Sequence, residues 1–518
     1  EEFVPEAYRA MAFVDMETGS RKEMEVPGLA EVKVTATSYD AAHHRVALGL
    51  EDGRVGSFLV EYERVFEEGG KPRVEAKLTA EPWFNAQNGS GPVTAVSYGD
   101  SSNGRVVVAK RGEGTDSKVS ILRLGMKKSL VGKGKLSLLE EADVTAQLDR
   151  EAVKVRASEN GALVLIACAN GEVHYFLADT AGVSKRQSFT PFGGMVPARM
   201  DFLFGGVSVV LTGQDGAQEQ WSLFRKSENA ERLFGKTKDF PKLGDAGVVF
   251  AASQRNRTFL TGSGRELSIR HSTSGKVRWE GSVDIDPAAV ALDAKGEHFI
   301  VSSAEGNARR FSVHDPHPEA GWLAFFGKVW YEGGSGPVYQ WQSTGGSDDF
   351  EPKFSMVPLV FGSLKGTAYA LLFSVPIALL AAIFSAAFLP LEVKRVVKPV
   401  MEIMSSLPSV VLGFLAGLWL APILESRVPS VMVMVIIVPL AALLLGFIWC
   451  RLPITFRNRF PAGSEWWVVF PFLVLSGWIG WSLGPVVESW LFVYKDQGSG
   501  REIADFRLWW PQATGISF

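Results

Sequence analysis

The sequence predicts two unlike parts in one chain: an all-β propeller of six or seven blades, then an all-α bundle of transmembrane helices. Three observations predict this. A short strand–turn–strand unit recurs through the first part. Glycines at its turns fall about 40 to 50 residues apart, the period of a four-stranded blade. Apolar runs long enough to cross a bilayer crowd the second part.

The bulk numbers agree with a divided chain. At 518 residues it is too long for one hydrophobic core. The net charge of −3 argues against a basic nucleic-acid-binding domain, so no nucleic-acid partner is expected. Cys168 and Cys450 fall in different parts and make neither a zinc set nor a redox pair.

The recurring unit is a β-branched run, a small-residue turn with glycine, and a second run ending in an aromatic or apolar residue. Val46–Leu50, Glu51-Asp52-Gly53 and Arg54–Phe58 form one copy. Further copies are centred on Asn170-Gly171, Asp215-Gly216, Gly264 and Glu305-Gly306, and a looser one spans Arg105–Leu124. Glycine there supplies the positive φ that tight hairpins demand. A closed ring of such blades, WD40/YVTN-like, leaves few open strand edges over residues 1–318. A pair of β-sandwiches is the alternative. No catalytic triad, metal-ligand spacing or phosphate loop stands out, and His43-His44 reads as a solvated loop pair.

Residues 319–356 read as a connector. Gly333-Gly334-Ser335-Gly336-Pro337 and Gly345-Gly346-Ser347 punctuate it. Trp322, Phe325, Phe326, Trp330, Tyr331, Tyr339 and Trp341 crowd it. Those rings suit either an interfacial belt ahead of a span or packing on the propeller.

Over residues 357–518, four spans are expected at about 357–388, 406–424, 429–450 and 467–492. Lys394, Arg395 and Lys398 mark the loop at 389–405, and Arg451, Arg457 and Arg459 mark the loop at 451–466. Positive loops stay cytoplasmic, which puts the β-domain on the far side. Among polar residues, Lys365 and Glu488 lie near outer span ends. Each is either a snorkelling side chain or a contact in a substrate pathway. Glu402 is expected to pair with Lys398 four residues earlier on a helix. Ser405-Ser406-Leu407-Pro408 reads as a helix break and restart, with serine able to cap and Pro408 suited to a first turn. Ser405 and Ser406 are also pathway candidates. Pro376 is expected to kink the first span. Gly413 and Gly417 would let another helix approach closely.

Several of these stretches together resemble a known family. They are Pro358–Leu364, Val375-Pro376-Ile377-Ala378, Phe388-Leu389-Pro390, Lys398-Pro399, Glu402-Ile403-Met404 and Ser405–Phe414. Residues 351–422, about a seventh of the chain, resemble the permease subunits of the bacterial phosphate-specific ABC transporter, PstC type. The resemblance implies a type I ABC permease fold (MetI-like). It implies a second permease subunit, a cytoplasmic ATPase dimer carrying ATP and Mg, and a periplasmic phosphate-binding protein as partners. It also implies a multi-pass location in the inner membrane amid lipid. No catalysis and no cofactor are expected of this chain. Some family members look similar also in carrying a large periplasmic insert, which would be residues 1–350. The chain reads as cut at both ends, with the family's coupling loop beyond Phe518. The expectation is a phosphate-import permease. An anchored sensor or assembly scaffold, or a permease for another oxyanion, are its rivals.

Overall fold

All six repeated units become the hairpin between the second and third strands of separate antiparallel sheets in a computed structural model. The structure describes residues 2–3, 10–14, 21–26, 29, 32–65, 73–85, 91–101, 104–127, 135–227, 230–244, 248–346, 350–457, 459–460, 466–495 and 502–514. The chain divides into two compact units, Glu1–Gly366 and Thr367–Phe518.

The first unit holds a six-bladed propeller. Its innermost strands are Val34–Asp40, Val93–Ser101, Ala152–Ala157, Arg199–Phe202, Val248–Ala252 and Ala289–Leu292. Tyr39, Tyr98, Arg156, Asp201, Ala251 and Ala291, one from each, line a common central cavity of about 220 Å³. Blades 2 to 5 have four strands in sequence order. Blade 1 gains the short strand Phe84–Asn85, and blade 6 has three strands among the described residues. A further three-stranded sheet, from Glu2–Phe3, Ala10–Val14 and Arg21–Glu25, precedes the ring. Its Met11 packs with Val46, Leu48 and Phe58 of blade 1.

A second strand packed between two blades is covered on both faces, including at its serines and threonines. Leu163–Cys168 and Ser208–Thr212 are accordingly buried at every residue. This is why these strands read as continuous apolar runs and not as alternation. Five successive junctions, from blades 1 and 2 to blades 5 and 6, each have their own core. Ile121 meets Val155 and Phe176 between blades 2 and 3, and Tyr175 meets Met200 and Phe234 between blades 3 and 4. The turn glycines are needed where they stand. Gly171 has φ +78°, and a Cβ on it would lie 2.0 Å from the Gly194 carbonyl oxygen.

Blades 1 and 2 are also joined by a charge network. Glu81 accepts from Arg45, from Arg105 at 2.6 Å and from the Ser57 hydroxyl. Asp100 lies 3.0 Å from Arg45 and 3.1 Å from Arg105. Burial pushes the Glu81 carboxyl up, but the Ser57 hydrogen bond and the two guanidiniums outweigh it and hold the group below the usual range.

The connector begins with the single helical turn α1 (Trp322–Phe326). The longer helices that follow are α2 (Val357–Ala387), α3 (Leu391–Ser406), α4 (Ser409–Glu425), α5 (Val428–Arg451), α6 (Trp466–Leu491) and α7 (Phe506–Thr514), with a single helical turn, Ile454–Arg457, between α5 and α6. α2, α5 and α6 are long and apolar enough to cross a membrane. α3 and α4 meet at 86°, and together this bent pair offers a fourth candidate span.

This corrects the expected loop at 389–405. It is a helix, because Glu392, Arg395, Lys398 and Glu402 recur at three- and four-residue spacing opposite an apolar stripe of Val393, Val397, Val400 and Met404. The restarted helix begins at Ser409 and not at 406. Of the expected loop at 451–466, residues 458 and 461–465 lie outside the described residues, as does Ser347 of the connector.

Candidate functional site

The break between α3 and α4 follows from Leu407-Pro408. A residue before proline is pushed out of the helical region, and Leu407 sits at φ −69°, ψ 133°. Pro408 takes the N-cap position of α4, one place before the expected first turn. The serines do not cap it. Ser405 Oγ donates to the Glu402 carbonyl at 2.8 Å and Ser406 Oγ to that of Ile403 at 2.7 Å, both within α3. Lys398 and Glu402 occupy one face of α3 but are not among the ion pairs found within 4.0 Å for the described residues. α2 runs unbroken through Pro376, with Lys365 exposed in its third turn.

Glu488 ends α6. Its Oε1 accepts the backbone N–H of Phe506 at 3.0 Å, so it holds the start of α7. Phe506 and Trp509 both pack on Phe492 there, with ring centroids 5.0 Å away in each case.

A Cβ added to Gly413 or Gly417 would meet nothing within 4 Å, so no described part of this chain uses their close-approach surface. The close approach lies elsewhere. A Cβ on Gly484 would come 2.4 Å from Ser430 Cα, and one on Gly480 would come 2.9 Å from Met434 Cα. These two glycines, four apart on α6, let α5 and α6 meet backbone to backbone. Their spacing is visible in the sequence and is the signal that the sequence reading misses.

The connector docks on the propeller through buried charge. Glu332 pairs with Arg257 at 2.6 Å, both side chains nearly buried. Glu351 sits 3.7 Å from His271 Nε2, with both carboxylate oxygens buried. Burial pushes its carboxyl up to about 7, against the Thr273 hydroxyl and the pull of Arg257 and Lys238. Burial, aided by Lys238 and Arg278, drives His271 down to about 3. Burial likewise lowers Lys238 to about 8, while its Nζ donates to the Ser272 carbonyl at 2.6 Å and to that of Thr273. A cavity of about 390 Å³ opens beside this cluster, lined by Arg257, His271, Asp315 and Glu351. The connector aromatics divide. Trp330 packs edge-on to Phe224 and Tyr331 is buried, while Trp322, Phe326, Tyr339 and Trp341 are exposed.

Among the described residues, one group could hold a metal: Asp149, Glu172 and His174 of blade 3. His43 is not in it. Its Nδ1 pairs with Asp40 at 2.8 Å in an exposed turn.

No family model matches the chain. One curated relative is a probable ABC transporter permease protein, YqgH, of Bacillus subtilis, 36% identical over 74 residues. The match covers 14% of this chain and 24% of the relative, so the chain spans about a quarter of that protein's length. Solved structures similar to this chain include a functionally unknown protein from Desulfotomaculum acetoxidans. It has 12% identity and a TM-score of 0.42, and 60% of this chain and 91% of that one are covered. The Cps50 (Swd1) β-propeller domain of Myceliophteria thermophila gives 11% identity and a TM-score of 0.39, over 60% and 91% of the two chains. The propeller assignment here rests on the six sheets themselves.

Proposed function

We propose that this chain is a membrane-spanning permease subunit of an ATP-driven importer of inorganic phosphate in a bacterial inner membrane. The observation that carries this reading is the 36% identity to a probable ABC transporter permease. The helices support it. α2 and α3 bury no residue, as expected of surfaces made for lipid or partner subunits. The partners on this reading are a second permease subunit, a cytoplasmic ATPase dimer holding ATP and Mg, and a periplasmic phosphate-binding protein. The chain itself makes and breaks no covalent bond.

Sidedness rests on charge and parity. α4 has 17 residues, about 26 Å of helix, which is short but within spanning range. If α4 and α5 both cross, the basic α3 and the basic stretch after α5 share one face, the cytoplasmic one. If α4 does not cross, they fall on opposite faces. The positive-inside tendency therefore favours four crossings and a periplasmic propeller. Lys365 on α2 remains our candidate anion contact at the outer mouth. Glu488 is better read as a cap for α7.

Uptake of labelled phosphate in cells lacking this subunit, with sulfate as the control anion, tests the substrate. We expect phosphate uptake to fall and sulfate uptake to hold. Unchanged phosphate uptake removes the proposal. Protease or thiol mapping in intact cells tests the sidedness, and a cytosolic propeller refutes it.

A further inference from the structure

We propose that blade 3 carries a binding site for a divalent cation of the Zn²⁺ type, held by His174, Glu172 and Asp149. Nothing in the transport reading requires this site, and the two stand or fall separately.

The argument starts from an orphan nitrogen. His174 lies in the buried strand Val173–Asp179 and is fully buried. Its Nδ1 meets Ser188 Oγ at 2.8 Å on the neighbouring strand. With that hydroxyl accepting from Nδ1–H, the ring is fixed and its free lone pair is on Nε2. Metal-ligating histidines are held in the same way, by a hydrogen bond at the other nitrogen. Nε2 is buried without a hydrogen-bond partner. It points at Asp149, whose carboxylate oxygen is 3.6 Å away, too far for a hydrogen bond. An unpaired buried nitrogen is costly, and a cation there would satisfy it.

The other two ligands come from the same blade. Glu172 follows the Asn170-Gly171 turn, and the Asn170 side-chain amide donates to Glu172 Oε2 at 3.3 Å. Asp149 stands on the segment leading into the blade. The three ligand atoms lie within 4.8 Å of one another. A tetrahedral zinc ion, bonded at about 2.0–2.2 Å, spaces its ligands roughly 3.4 Å apart. The carboxylates must therefore close by up to about 1.4 Å. They can, because Asp149 is exposed and Glu172 partly so, while the histidine is the rigid member. One imidazole and two carboxylates suit Zn²⁺, Co²⁺ or Ni²⁺ and leave a fourth position for water. Three ligands with a nitrogen are a poor match for Ca²⁺, which wants six to eight oxygens.

Lys185 competes. Its Nζ is 3.8 Å from the same Asp149 oxygen and donates to the Gln147 carbonyl at 2.8 Å. Its ammonium repels an incoming cation, so removing it tightens metal binding.

The test uses the full chain in detergent, stripped with a chelator and titrated with Co²⁺ and Zn²⁺. We expect one equivalent of Co²⁺ to bind with visible d–d absorption, displaced by Zn²⁺ and not by excess Mg²⁺ or Ca²⁺. Altering even the groups that support a metal's ligands costs about 10–100-fold in affinity, so Asp149→Asn or Glu172→Gln should cost at least about tenfold. Both are surface changes that spare the core. Lys185→Gln should tighten binding. Absence of saturable Co²⁺ binding overturns the proposal. So does binding that ignores all three substitutions, and the triad is then an ion-pair cluster with Lys185.

Discussion

The propeller and the helices solve opposite problems in placing their apolar side chains. In the propeller successive blades cover one another, and strands such as Leu163–Cys168 have no exposed residue. In the helical part the large apolar side chains face outward. Phe373 is 69% exposed, Val410 81% and Trp490 84%. A water-soluble chain does not leave so much apolar surface uncovered. The difference teaches where each part gets its stability. The propeller carries its own solvent exclusion between blades, whereas the helices leave their apolar faces for surroundings outside this chain to cover.

Paired truncations sharpen this contrast most. Phe176 is fully buried between blades 2 and 3, so Phe176→Ala should cost about 3–5 kcal/mol. Phe373→Ala, on the exposed face of α2, should change the stability of the isolated chain in detergent by less than about 0.5 kcal/mol. Thermal and denaturant unfolding of the two variants measures both. Equal losses would break the comparison.

The connector supplies a second test, through pH. Glu351 has its carboxyl raised from 4.5 to about 7 by burial. Between those values the folded state holds a proton that the unfolded state has released, so this group's contribution falls as pH rises from about 4.5 to 7. His271, lowered from 6.5 to about 3, acts in the opposite sense, and its contribution rises with pH from 3 to 6.5. The two slopes offset each other in the wild type. In Glu351→Gln only the histidine slope remains. The variant's stability relative to wild type should therefore climb by at most roughly 3 kcal/mol from pH 4.5 to 7. Denaturant midpoints across that range measure it, and a constant difference would mean Glu351 titrates normally.

What can be read from sequence is what is local. The blade hairpins are set by a few turn residues, so Asn170-Gly171 and Asp215-Gly216 mark strands correctly. The Leu407-Pro408 break is equally local. The blade number stays open at six or seven because the copy at Arg105–Leu124 turns through the 3₁₀ segment Gly114–Asp116 and fits the pattern loosely. α3 reads as a loop when its lysines and arginines are weighed only as a charge signal, although their spacing is helical. The connector latch and the blade-3 triad are out of reach. Glu351 meets His271, and Asp149 meets His174, only after the chain has folded back on itself.

The glycines of the helical part give the smallest and most selective test. Gly413 and Gly480 each begin a pair spaced four apart, yet only the Gly480–Gly484 pair has a described helix of this chain against it. A side chain at 484 collides with the Ser430 backbone, and relief requires α5 and α6 to separate. Gly484→Val should therefore destabilise the isolated chain by about 1–3 kcal/mol, the usual cost of overpacking. Gly413→Val meets no described neighbour, so the isolated chain should lose only the few tenths of a kcal/mol expected of a surface change. On the transport proposal, both variants can also be placed with the proposed partner subunits, which reverses the emphasis. If α4 packs on a partner subunit, Gly413→Val weakens co-purification while leaving the lone chain intact. If it faces lipid, neither property moves, and the exposed side of α4 is then a lipid surface and not an interface.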